Sequence, residues 1–339
     1  MYGALSKSDT VAATPAKTVR LTGAGATFPY PLYSKWFYEY EVLNPSVQIN
    51  YQSIGSGGGV RQILEVTVDF GASDAPLSDE ELEKAPKEIL HIPMTLGSVA
   101  VVYNLPGVGK GLRLTPDVLS GIYMGEIKRW NDNKIQSLNP KLRLPARDIV
   151  VTRRSDGSGT TYVFTDYLTE VSPEWAKTVG KGKAVKWPVG LGGKGNEGVA
   201  GLVKQMPGGI GYVELAYAEQ NGLTYAQLKN RSGRFVYPGL KETSEAAGSA
   251  ELPEDLRTSI ADAPGESAYP ISAFTYILVY REQKDPYRGR ALAEFLMWAL
   301  NDGQRYSDDL FYARLPKEVV KLAEQKVKLL GSKGQPLLK

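Results

Sequence analysis

Apolar and polar residues alternate with a period of two from Val47 to Gln52. Val47, Ile49 and Tyr51 fall on one side of the pattern and Gln48, Asn50 and Gln52 on the other, which predicts a strand. The apolar runs Ile149–Val151 and Tyr276–Tyr280 predict buried strands, and the stretch from Val68 predicts a short one ending in a carboxylate, Asp74. Helical spacing appears elsewhere. Val163/Tyr167 and Phe164/Leu168 repeat at i, i+4, and Val60, Ile63 and Leu64 make a stripe. The aromatic stretch Tyr33 to Tyr40 reads as a helix. Leu292, Phe295, Leu296, Ala299 and Leu300 form one core-facing face, and Lys317 to Leu330 forms a lysine-rich helix with an apolar underside. Thr115-Pro116 is an N-cap and N1 pair that opens a helix with Leu119, Ile122 and Tyr123 inward. Ser78 to Glu81 has capping-box spacing. Gly239 to Pro264, rich in Glu, Ala, Ser and Pro, reads as a surface excursion or irregular connection. Strands alternating with helices predict an α/β architecture with largely parallel sheets.

Three of the predicted helices begin with unusual loops. Arg153-Arg154-Ser155-Asp156-Gly157-Ser158-Gly159-Thr160-Thr161 follows a strand and opens a helix. Free N–H groups and the positive dipole end favour an anion there. Ser158, Thr160 and Thr161 add hydroxyls, and Arg154 adds a fork of donors suited to tetrahedral oxyanions. Gly55-Ser56-Gly57-Gly58-Gly59 lets the backbone come close to a ligand. Leu21 to Pro29 (LTGAGATFP) leads into the aromatic helix. Each loop alone is ordinary punctuation. Three together, with an arginine and no nucleotide motif, favour a small-anion site. Asp74 lies four residues before the Ser78 cap, so capping does not explain it. Either it makes an Asx-type turn ahead of Pro76, or it faces a ligand that brings a proton to donate.

Composition narrows the classes. The chain has 339 residues, room for two lobes, with 40 basic and 37 acidic side chains and no basic block, which argues against nucleic acid. There is no cysteine, which excludes disulfides and thiolate chemistry. No apolar run approaches the roughly 18 residues of a membrane span. His91 is the only histidine and reads as a strand or turn residue, so a serine triad or zinc site has nothing to build on. Gly190 to Gly195 matches G-x-G-x-x-G but follows Trp187-Pro188 rather than a clear strand, and is read as a loop. No P-loop or EF-hand spacing occurs.

Taken together, Leu21–Pro29, Gly55–Gly59, Asp69–Pro76 (DFGASDAP) and Arg154–Thr160 (RSDGSGT) resemble the phosphate-binding proteins of bacterial phosphate ABC transporters. Ile122–Asn131 (IYMGEIKRWN), Trp187–Gly195 (WPVGLGGKG) and Gly209–Val213 (GIGYV) extend the resemblance, which runs from about residue 20 to the C-terminus. It implies a two-lobed type II periplasmic-binding-protein fold with a ligand cleft between the lobes. Residues 20–98 plus 268–339 would form one lobe and 99–267 the other, after a flexible N-terminal tail over 1–19. The phosphate contacts implied are Thr27, Phe28, Ser56, Asp74, Arg154, Ser158, Gly159 and Thr160, with Phe28 and Gly159 contributing only backbone N–H. Asp156 would hold the arginine. Residue 57 is glycine, where members often carry a second serine. The expected function is high-affinity binding of inorganic phosphate, with arsenate as a mimic, and delivery to inner-membrane ABC permease subunits. No catalysis, metal or cofactor is implied. A monomer in the periplasm, or at the outer face of a single membrane, is expected, with the export signal absent from residues 1–20.

Overall fold

The fifteen residues Ile89–Tyr103 form one strand whose every residue is buried. Residues 99–103 (VAVVY) are a continuous apolar run, while His91, Pro93, Thr95 and Gly97 alternate with Ile92, Met94 and Leu96 in the first part, yet both faces are covered throughout. Residues 89–98 pair antiparallel with Ser272–Tyr280, and residues 99–103 pair antiparallel with Gly209–Glu214. One strand therefore belongs to two halves of a nine-stranded sheet. Pro93 cannot donate to a ladder, and it sits where the register shifts opposite Thr275 and Tyr276.

This computed structural model describes residues 18–338. The predicted tail, residues 1–19, lies outside the described residues except for its last two, and Val19 already pairs with Val47. The first half of the sheet runs Val47–Ser53, Val19–Gly25, Phe70–Ser73, Ser272–Tyr280, Ile89–Tyr103. The second continues through Gly209–Glu214, Val150–Arg154 and Leu191–Gly193. Helices cover both halves, giving a two-lobed α/β fold.

Three expectations need correction. The sheet is mixed rather than largely parallel. Parallel pairs lie at its outer ends, but the central strand is antiparallel to both neighbours. The reason is that Ile89–Tyr103 carries the chain out of the first half and Ser272–Tyr280 follows its return, so the two must run in opposite directions. Within Gly239–Pro264, Leu240–Gly248 is a helix with Thr243, Ala246 and Ala247 buried, not an irregular excursion. Leu191–Gly193 is a strand, not a loop. It pairs parallel with Thr152–Arg154 and is followed directly by the helix Gly195–Gln205.

Each half has its own aromatic core. Behind the first half, Phe37 packs against Tyr51, Phe70 and Phe295, and Tyr51 against Tyr33, with ring centres 5.5 to 6.2 Å apart. In the second, Phe164 stacks on Tyr212 at 4.3 Å, with Tyr123 and Trp187 against them. Tyr212 also turns its hydroxyl toward the strand that ends in Arg154, accepting from the Arg154 N–H at 3.1 Å. The second core thus sets the position of the arginine.

Candidate functional site

The Leu21–Pro29 segment leaves its strand at Gly25, whose φ of +143° and close approach to the Ala72 carbonyl admit no side chain. Beyond it, three successive carbonyls are taken by tyrosine hydroxyls. Tyr51 donates to Ala26 O at 2.8 Å, Tyr217 to Thr27 O at 2.6 Å and Tyr312 to Phe28 O at 2.6 Å. With its carbonyls held, the segment presents its N–H groups on the other side. Ser56 opens the helix Ser56–Leu64, which starts four residues earlier than the Val60 stripe and takes the glycines into its first turn. Gly59 there packs on Gly25 and Ala72 too closely for a Cβ.

The second half brings Arg154, at the end of its strand, and the N-terminus of the helix Gly159–Val171. Ser158 caps that helix, its Oγ accepting from Thr161 N at 3.0 Å, while its own N–H donates to Lys183 O. Asp156 grips the guanidinium at both ends, from Nε at 2.8 Å and Nη2 at 2.5 Å, and also accepts from Gly195 N at 3.1 Å. Burial works against ionisation of Asp156, but the Arg154 hydrogen bonds and charge outweigh it and hold the carboxyl below its ordinary value. Arg153, the neighbour on the strand, turns to the other face and spends one N–H on the Arg154 carbonyl.

The two halves meet at these residues. Thr27, Ser56, Asp74, Arg154, Ser158 and Thr160 are each 3% exposed or less. Gly57 N donates to Gly157 O at 2.9 Å across the junction. Gly159 lies against the Asp74 carboxylate and the Ser56 hydroxyl, so that a Cβ there would overlap both. All eight residues that the sequence marked as contacts converge here, with Asp156 behind Arg154. Among the described residues, none accepts from the N–H groups of Thr27, Phe28, Ser56, Gly159 or Thr160. Five buried donors without an acceptor among the described residues are unusual, since nearly all buried N–H groups are paired.

Asp74 is the one carboxylate among them. Its Oδ1 accepts from Thr275 Oγ1 at 2.8 Å and its Oδ2 from Ser56 Oγ at 3.4 Å. Burial pushes its pKa up to about 7, against the opposing pull of Thr275, Arg154 and Ser56. The site therefore offers many N–H and O–H donors, one guanidinium and one acceptor of tuned protonation. That inventory matches a tetrahedral oxyanion carrying a proton.

A family model described as a PBP superfamily domain matches residues 11–302. The phosphate-binding protein PstS of Xylella fastidiosa strain Temecula1 is 46% identical over 311 residues, covering 91% of this chain and 85% of that protein. The PstS of Pasteurella multocida is 44% identical, covering 96% of this chain and 94% of its own length. The chain belongs to the PstS phosphate-binding protein family. In fold it is similar to a periplasmic phosphate-binding protein (PfluDING) solved with phosphate, with a TM-score of 0.74 at 21% identity over 91% of this chain and 93% of that one.

This PstS-family chain holds two polar residues near the site that the motifs did not reveal. Thr275 supports Asp74 from 201 residues away. Asn196 is fully buried and bonds both Thr27 and Thr160. Asn196 directly follows Gly195 in the segment read as a loop, and only the strand and helix around that segment would have pointed to it. His91 lies in the long strand, accepts from Leu77 N at 3.0 Å and packs edge-on against Tyr276. Burial pushes its pKa down to about 3, so it is a neutral framework residue. Among the described residues there is no cluster of metal-ligating side chains and no helix long and apolar enough to cross a membrane.

Proposed function

We propose that this chain captures inorganic phosphate in a cleft between two lobes and delivers it to a membrane ABC permease in the periplasm or on the outer face of a single membrane. The lobes are residues 20–98 with 268–339 and residues 99–267, and the working form is a monomer. The observation that carries this reading is the set of five buried N–H groups with no acceptor among the described residues, gathered around Arg154 and Asp74. Ser56, Ser158 and the threonine hydroxyls complete a shell for a tetrahedral anion, and membership of the PstS family supports phosphate as that anion.

Asp74 sets the choice among oxyanions. An ionised carboxylate only accepts, so it pairs with the proton that phosphate or arsenate retains near neutral pH. Sulfate brings none, and in a dry site lone pair would meet lone pair with no water to relieve it. Binding itself drives closure, because the anion reaches donors of both lobes only when they meet.

The test is calorimetric titration of phosphate, arsenate and sulfate into protein unfolded and refolded to strip bound anion. One phosphate per chain is expected, with a Kd at or below about 1 μM, near −8 kcal/mol. At pH 8 and above, where Asp74 is ionised, arsenate should follow phosphate and sulfate should bind far more weakly. No heat with phosphate, or equal affinity for sulfate, would refute the reading.

A further inference from the structure

Asn196 occupies the point where a threonine of each lobe comes within reach of one amide. Its Nδ2 carries two hydrogens, and donates to Thr27 Oγ1 at 2.8 Å and to Thr160 Oγ1 at 3.1 Å. Its backbone N–H also donates to Thr27 Oγ1, at 3.3 Å. The amide cannot face the other way, because Oδ1 accepts from Glu214 N at 2.9 Å and a reversed amide would put donor against donor there. Asn196 is fully buried.

The consequence lies in the hydroxyl protons. A hydroxyl oxygen has two lone pairs and one proton to give. Thr27 Oγ1 receives two donors, both from Asn196. Thr160 Oγ1 also receives two, from Asn196 Nδ2 and from Arg154 Nη1 at 3.3 Å. With both lone pairs engaged, each hydroxyl is left to act as a donor. We propose that Asn196 is a positioning residue that commits the hydroxyls of Thr27 and Thr160 to donate to the bound anion, and that it makes its contact to Thr27 only when the lobes close. This rests on the phosphate-binding reading. Asn196 then acts in two ways. It sets the polarity of two hydroxyls, and it joins the helix Gly195–Gln205 of one lobe to the anion loop of the other.

The test compares phosphate affinity and dissociation rate for the wild type and Asn196→Ala, each also in the Thr27→Val and Thr160→Val backgrounds. Asn196→Ala should weaken phosphate binding by about 10- to 100-fold, as expected for two lost buried hydrogen bonds, mostly through faster dissociation. In either threonine variant the same change should cost markedly less, because a hydroxyl it orients is already gone. Asn196→Asp, nearly the same shape, should bind more weakly than Asn196→Ala, since an acceptor in place of Nδ2 draws the hydroxyl protons away from the anion. Thermal unfolding without phosphate checks that each variant folds. Should a double variant fail to fold, the order of the two single Asn196 variants still decides. Asn196→Ala within about threefold of wild type, an equal cost in all backgrounds, or Asn196→Asp binding as well as wild type would each overturn the assignment. A wild-type chain that binds no phosphate would instead overturn the functional reading beneath it.

Discussion

Gly159 offers the cleanest separation of closure from folding. Substitution by alanine adds one Cβ at the first residue of the helix Gly159–Val171. That atom would overlap the Asp74 carboxylate, lie 2.5 Å from Ser56 Oγ and 2.7 Å from Asp74 Cβ. Ordinary carbon contacts lie at about 3.5–4.0 Å, so the lobes must part by roughly 1 Å. Hydrogen bonds run from about 2.7 to 3.2 Å, and a shift of that size breaks those spanning the junction. For an anion held from both sides, losing two charged hydrogen bonds at about 1.5–3 kcal/mol each weakens binding by about 3–6 kcal/mol. That corresponds to about two to four orders of magnitude in Kd. Within its own lobe the new methyl has room once the lobes separate, so phosphate-free stability should stay within about 0.5 kcal/mol. The assay is phosphate titration of stripped protein, paired with chemical denaturation in phosphate-free buffer. Phosphate affinity within threefold of wild type would show that the bound state does not press Gly159 on Asp74 and Ser56. A large loss of phosphate-free stability would show that the contact belongs to the fold rather than to closure.

Three further outcomes follow from the same geometry. Arg154→Ala should cost more phosphate affinity than Arg153→Ala, by about 2–5 kcal/mol, because it also strands the mostly buried Asp156; calorimetry showing equal effects would place the wrong arginine in the site. Asp74 protonates as pH falls through about 7 and then becomes a donor, so sulfate affinity should rise by up to about tenfold per pH unit on acidification, and Asp74→Asn should raise the sulfate-to-phosphate ratio at pH 8 and flatten that profile. A sulfate titration series that is flat with pH in the wild type would remove Asp74 from this role. Lys183 reaches both oxygens of Glu81, at 2.6 and 2.7 Å, between the two proposed lobes and partly shielded from water, so Lys183→Met should speed phosphate release severalfold and blunt its salt dependence in stopped-flow measurements.

The parts of this molecule that were legible in the sequence are those where one local segment carries its own physical pattern. The alternation at Val47–Gln52, the i, i+4 pairs after Ser158 and the capping box at Ser78 all became the elements they predicted. The loops of the proposed anion site were legible because glycine, hydroxyl and arginine cluster within a few residues. What escaped depends on pairing over long separations. Leu191–Gly193 has no apolar alternation, and is a strand because Thr152–Arg154 offers it a parallel edge. The antiparallel centre of the sheet reflects a return path of some 170 residues that no window along the chain can see. Asn196 and Thr275 are single polar residues without a repeating context, and their roles appear only once Thr27, Thr160 and Asp74 stand beside them.

The placement of Ser272–Tyr280 bears on how the molecule is assembled in time. That strand lies between Phe70–Ser73 and residues 89–98, with antiparallel ladders to both. A chain growing from its N-terminus completes both of those neighbours long before the strand that joins them exists. Until residue 280 has emerged, each presents a bare edge flanked by apolar residues, a surface open to pairing with another chain. On the proposed division into lobes, the first lobe therefore matures last although it is synthesised first, and residues 99–267 should fold as soon as they are made. Truncation before Ser272 should leave the second lobe able to fold and the first a sheet split down its middle. Helper proteins that guard unfolded chains would be needed most during that interval.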